Sequence, residues 1–308
     1  MKSKGYIDLQ VNGYKGIDFT SPDLSLDEII FVTRELAEQG TTGYLPTLIT
    51  SPINVYERNL PILVQAMKRD KVRDHILGIH LEGPFISDEI GARGAHNPSW
   101  IIPPEISVFE RLMKLAQSQI KILTIAAELK NADKLCQHAT RFGVIVSLGH
   151  QNASGKDMER LVKAGAKSLT HLGNGIPFEI HRHNNPIFSG MANDSLMAMI
   201  ITDGHHLPPP VIKSIVRAKG SKNIILVSDA SPVAGLQPGK YKSLGNDVIL
   251  NMDGRLYNSG TGFLVGSSST MKQCVEFIRS MDILSETEIL DAGFLNPLKL
   301  IGISPKEL

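Results

Sequence analysis

Ile76-Leu-Gly-Ile-His80-Leu-Glu82-Gly-Pro-Phe85 is an apolar run that stops at a carboxylate, followed by a Gly-Pro turn. The pattern recurs along the chain. Val144 to Ser147 leads to Gly149-His150, and Ser168 to His171 ends on an imidazole. Leu196 to Thr202 leads to Asp203 and His206, and Asn223 to Ser228 leads to Asp229. Gly5 to Leu9 and Ile120 to Ala126 complete seven strand-like runs. Between them lie helical patterns at Leu26 to Gln39, Ile53 to Lys68, Lys156 to Lys163, Ser268 to Arg279 and Glu286 to Leu300. The alternation predicts βα units around a parallel sheet. Seven or eight units in 308 residues favour a closed α/β barrel, the (β/α)8 TIM type, over an open sheet. A barrel also gathers the polar strand ends on one rim, whereas an open sheet scatters them along an edge.

Composition narrows the function. With 42% hydrophobic residues and no biased tract, the chain is ample for a large core, and residues 1–308 read as one domain. Charge is nearly balanced, 32 Lys and Arg against 31 Asp and Glu, without blocks, so nucleic-acid and membrane partners are not expected. A small anionic substrate stays open, since one Arg can serve it. Cys136 and Cys274 are isolated, with neither metal spacing nor a disulfide framework. No signal peptide or membrane span is evident, and a cytoplasmic location is expected.

Taken singly, the polar residues have plain structural readings: a hydrogen-bonded strand-end His, a turn Glu, a helix-capping Asp. As a set they say more. One carboxylate and two imidazoles converging on a point hold a divalent metal with open positions, and a further carboxylate, Asp229, can move a proton beside it.

The chain resembles the N-acetylglucosamine-6-phosphate deacetylases, a (β/α)8 branch of the amidohydrolase superfamily. The matching stretches begin with Tyr6-Ile-Asp-Leu-Gln-Val-Asn-Gly13, His80-Leu-Glu-Gly-Pro-Phe85, Gly94-Ala-His-Asn-Pro98 and Leu148-Gly-His150. They continue through Thr170-His-Leu-Gly-Asn174, Asp203-Gly-His-His206, Val227-Ser-Asp-Ala230 and Leu264-Val-Gly-Ser267, in the family's order. The resemblance implies roles. Glu82, His150 and His171 match the metal ligands, with one divalent ion, zinc, expected per chain. Asp229 matches the acid/base aspartate, and His96, with Ala95 beside it, matches a histidine that contacts substrate and polarises its carbonyl. Asn174 and Gly175 match a pair that meets the sugar phosphate. Arg182 stands where the family carries a phosphate-binding arginine supplied across a homodimer interface. Asp203 and His206 match a substrate-contacting loop, His206 being the favoured contact, and Phe263, Leu264 and Val265 match a pocket-lining stretch.

Three departures qualify the match. Relatives with two metals carry His-x-His on the first strand, where this chain has Gln10 and Asn12, so a single-metal site is expected. The usual small β-sandwich, built from segments flanking the barrel, finds no room here, and a bare barrel is expected. The loop after His171 reads Gly-Asn-Gly-Ile-Pro instead of an aromatic followed by Asn-Ala-Met, which bears on the choice of sugar more than on the reaction. The expected function is hydrolysis of the acetamide of N-acetylglucosamine 6-phosphate. The alternatives are another N-acyl sugar phosphate, such as the galactosamine epimer, and a non-catalytic sugar-phosphate-binding barrel.

Overall fold

The computed structural model describes residues 5–70 and 72–306. Eight strands form one parallel sheet: β1 Tyr6–Val11, β2 Thr41–Ile49, β3 Ile79–Glu82, β4 Ile120–Ile125, β5 Ile145–Leu148, β6 Ser168–Leu169, β7 Met197–Ile201 and β8 Ile224–Val227. Each pairs with the next in sequence, and a parallel bridge between Val11 and Ala230 returns the last strand to the first. The expected (β/α)8 barrel is therefore present. Sequence reading found seven of its strands and missed β2. Gly43 and Pro46 interrupt that run, and both ordinarily weaken a strand. Here a Cβ on Gly43 would lie 2.7 Å from Leu77 Cδ1 and 2.8 Å from Ile7 Cδ1, so the crowded interior requires glycine. Pro46 stands opposite Val11, where the ladder is irregular.

Strand alternation stacks the interior in layers. Ile7, Leu45, Ile122, Met199 and Ile225 form an apolar layer. Above it lies a polar belt. His80 Nε2 is 2.8 Å from Thr124 Oγ1, and Thr170 Oγ1 lies 2.7 Å from Thr124 and 2.6 Å from Ser147. The next inward positions carry the site. At the opposite end, the C-terminal helical segments Glu286–Leu290, Asp291–Leu295 and Asn296–Ile301 pack Phe294, Leu298 and Ile301 into the same apolar cluster. Asn296 Nδ2 donates to the carbonyls of Ser221, 2.9 Å, and Ile224, 2.7 Å, fixing this plug below the start of β8.

Outside run α1 Leu26–Glu38, α2 Ile53–Met67, α3 Ile106–Leu115, α4 Ala132–Arg141, α5 Gly155–Ala164, α6 Pro186–Ala192, α7 Pro209–Lys219 and α8 Met271–Ser280. Helix starts follow local chemistry. Ser25 with Glu28, and Ser154 with Asp157, close reciprocal caps at α1 and α5. A second sheet was not expected: β9 Gly239–Ser243, β10 Asn246–Leu250 and β11 Leu256–Asn258 form an antiparallel meander between β8 and α8. Its charged outer positions, Lys240, Lys242 and Asp247, disguise the strands. Its inner face packs Val248, Leu250 and Leu256 on Ile49, Val233 and Val265, and so brings the loop at 262–266 over the rim. Among the described residues no helix is long and apolar enough to cross a membrane.

Candidate active site

Glu82 ends β3, while His150 and His171 follow β5 and β6. One ligand atom from each lies within 4.8 Å of the others, and all three side chains are buried. His150 Nδ1 is 2.8 Å from the Ala92 carbonyl, which can only accept, so the proton sits on Nδ1 and the Nε2 lone pair faces inward. That Nε2 is 3.2 Å from Glu82 Oε1 and 3.1 Å from His171 Nε2. A lone pair set against a carboxylate oxygen repels it unless a cation intervenes, and this donor set of two imidazoles and one carboxylate suits a divalent metal.

Backbone strain marks the same positions. His150, His171 and Asp229 have φ of 50°, 31° and 52°, in the left-handed region. Non-glycine residues there cost roughly 1–3 kcal/mol each and persist only where surroundings over-determine them. Gly175, with φ 59°, crosses so close to the cluster that a Cβ would lie 3.0 Å from His150 Nδ1 and 3.1 Å from His171 Cε1.

Three further groups complete the electrostatics. Asp229 accepts from Asn12 Nδ2 at 2.7 Å, and burial, then the Glu82 charge, raise its carboxyl to about 7. His96 Nδ1 accepts the Thr50 backbone N–H at 3.3 Å, which puts the ring proton on Nε2, 4.0 Å from Glu82 Oε2. Burial holds His96 well below the usual histidine range, so it is a neutral donor. Asp203 bonds His206 Nδ1 at 2.8 Å and the backbone N–H groups of His205 and His206 at 2.9 Å. Burial opposes charge on both, yet their mutual attraction lowers Asp203 and raises His206.

A cavity of about 480 Å3 opens over this cluster. Glu82, His150, His171, Asp229, His96 and His206 all border it, as do Ala95, Asn174, Gly175, Phe263 and Leu264. Three expected contacts do not. Asp203 is turned away because its carboxylate is engaged by His206 and the backbone. Val265 is 1% exposed and packs under the small sheet instead. Arg182 lies exposed on the loop before α6, outside its own chain's cavity. No Lys or Arg borders the cavity among the described residues. Two residues were under-read in sequence. Gln10, noted only as a missing imidazole, donates from Nε2 to Glu82 Oε1 at 2.8 Å, and Asn12 holds Asp229. Their spacing at the end of one strand, matching the His-x-His positions, was the available signal. Phe178, 73% exposed, packs its ring against Phe263 at the mouth, with centroids 4.9 Å apart and planes tilted by 40°.

No protein-family model matches the chain. Individual proteins do. The chain is 33% identical to N-acetylglucosamine-6-phosphate deacetylase of Bos taurus, across 98% of this chain and 75% of that protein. It is 28% identical to N-acetylgalactosamine-6-phosphate deacetylase of Escherichia coli O157:H7, across 97% and 77%. The crystal structure of N-acetylglucosamine-6-phosphate deacetylase from Pasteurella multocida superposes with a TM-score of 0.88 at 29% identity, covering 97% of this chain and 76% of that one. With the fold shared and the relationship running along nearly the whole chain, this protein belongs to the N-acetylglucosamine-6-phosphate deacetylase family.

Proposed function

We propose that the chain hydrolyses the acetamide of N-acetylglucosamine 6-phosphate to glucosamine 6-phosphate and acetate. The observation that carries this is the convergence of Glu82, His150 and His171 with Asp229 over one rim cavity, in a chain of this family. Glu82, His150 and His171 would hold one divalent ion, zinc in this reading. When bound, such an ion supplies positive charge that acidifies water and polarises a carbonyl. Asp229 accepts the proton as the water oxygen adds to the acetamide carbon. It then returns that proton to the sugar nitrogen as the carbon–nitrogen bond breaks, since an amine leaves only when protonated. His96 presents Nε2–H to the carbonyl oxygen as charge develops there, a contribution of about 3 kcal/mol at comparable donors.

For the phosphate, His206 borders the cavity, and although burial opposes charge, Asp203 beside it raises its imidazole above the usual range and favours the cation. A dianion calls for a stronger partner, and no Lys or Arg among the described residues borders the cavity. Arg182, exposed outside it, serves this purpose from a second copy of the chain in a homodimer. Asn174 and the backbone at Gly175 meet the sugar phosphate beside it, and Phe263 and Leu264 also line the cavity.

The experiment is acetate release from N-acetylglucosamine 6-phosphate, its galactosamine epimer and unphosphorylated N-acetylglucosamine. Fastest turnover on the first is expected. Preference for the epimer would select the second reading, which the 28% identical galactosamine relative supports. No release from any, with binding retained, would leave a non-catalytic barrel.

A further inference from the structure

We propose that Asp8 on β1 and Asn12, just past its end, position Asp229 for proton transfer; this rests on the assignment of Asp229 above. Asp229 sits on a left-handed turn, and the strand that carries it ends two residues earlier. Where β8 meets β1 the barrel has one isolated bridge, Val11 to Ala230, in place of a ladder. Side chains take over from the missing backbone pairs.

Asp8, 1% exposed, accepts the Ser228 backbone N–H at 3.2 Å on Oδ1 and the Ser228 hydroxyl on Oδ2. The same Ser228 Oγ accepts the Ala230 N–H at 3.1 Å, so one carboxylate fixes residues on both sides of Asp229. From the other side Asn12 N–H donates to the Ala230 carbonyl at 2.8 Å, and Ser267 N–H to the Asp229 carbonyl at 2.8 Å. The carboxylate itself is oriented by Asn12. A carboxylate only accepts, so the 2.7 Å contact defines which end of the amide is its NH2 group. With Oδ1 bound in this way, Oδ2 is left for the proton. Asp8 does not border the cavity and acts through the turn; Asn12 borders it and acts on Asp229 directly. Both are positioning residues.

The test is a double-mutant cycle on the zinc-loaded enzyme, with Asn12→Ala, Asp8→Asn and Ser228→Ala, each alone and combined with Asp229→Asn. Each single variant at Asp8, Asn12 or Ser228 is expected to lower kcat about ten- to a hundredfold, with KM and bound metal per chain unchanged. In the Asp229→Asn background the same changes should cost little more, because residues acting through one group are non-additive. Losses that multiply would overturn the proposal, as would full turnover in Asn12→Ala. Ser228→Ala probes the Asp8 contact even if Asp8→Asn folds poorly. Near-normal turnover in Asp229→Asn alone would overturn the assignment of Asp229 instead, so the two failures are distinct.

Discussion

At the C-terminal ends of the strands, His150, His171 and Asp229 sit on left-handed backbone with buried, converging polar side chains. At the opposite end, Phe294, Leu298 and Ile301 lie in ordinary helical segments against Ile7, Met199 and Ile225, and the polar Asn296 has its amide hydrogens satisfied by two carbonyls. One end holds strain and uncompensated electrostatics, and the other holds close packing. The polar belt of His80, Thr124, Ser147 and Thr170 separates them. Burial holds the His80 imidazole down to about 4, so the belt is neutral and fully hydrogen-bonded. A functional rim can carry strain because the floor and flanks supply stability independently of it.

Metal removal strains this comparison most. Chelation should abolish acetate release while far-UV circular dichroism stays unchanged, because the plug and strands do not depend on the rim. Collapse of secondary structure on chelation would show that the two ends are not separable.

The converse test strikes the floor. Leu298→Ala should destabilise the fold by about 2–5 kcal/mol, as for other buried Leu truncations, and lower the melting temperature by several degrees. The kcat/KM of the folded fraction should hardly move. A large loss of turnover with little change in melting would reverse the roles of the two ends.

Arg182→Ala sharpens the rim itself. Loss of a charge-assisted contact of about 1.5–3 kcal/mol lowers kcat/KM for the phosphorylated sugar roughly ten- to a hundredfold, chiefly through KM. Activity on the unphosphorylated sugar should be unaffected. Mixed with Asp229→Asn chains, Arg182→Ala chains should regain activity if the arginine serves a neighbour's cavity. A fully active monomer would exclude that arrangement.

The smallest expected effect is in pH. Burial raises the Asp8 carboxyl from 3.8 to about 7, with its Ser228 contacts only partly opposing. Between those values the folded chain holds a proton that the unfolded chain has released. The contribution to stability is therefore complete below about 4 and lost as pH rises through about 7. Metal-free protein should melt lower at pH 8 than at pH 5, and Asp8→Asn should narrow the difference. An unchanged difference would mean that burial does not raise the Asp8 carboxyl above its unfolded value.

Much of this molecule was legible in its residues because the signals are local. Apolar runs of four to six residues ending in Glu82, His150, His171 and Asp229 declare strands and a rim without knowledge of any partner. Ser25 with Glu28 likewise declares a helix start. The rest depended on contacts between distant residues. β2 was hidden because its Gly43 is demanded by Ile7 and Leu77, which only the closed barrel brings together. The small sheet was hidden because its buried face is defined by Ile49, Val233 and Val265 from elsewhere. Sequence favoured His206 over Asp203 as the contact in their loop but could not say what Asp203 does; packing turned Asp203 toward His206 and left His206 at the cavity. The bonds from Asp8 to Ser228 and from Asn12 to Asp229 span 220 and 217 residues. Local periodicity sets which way a side chain points along its own strand, but closure of the first strand on the last decides what it meets there.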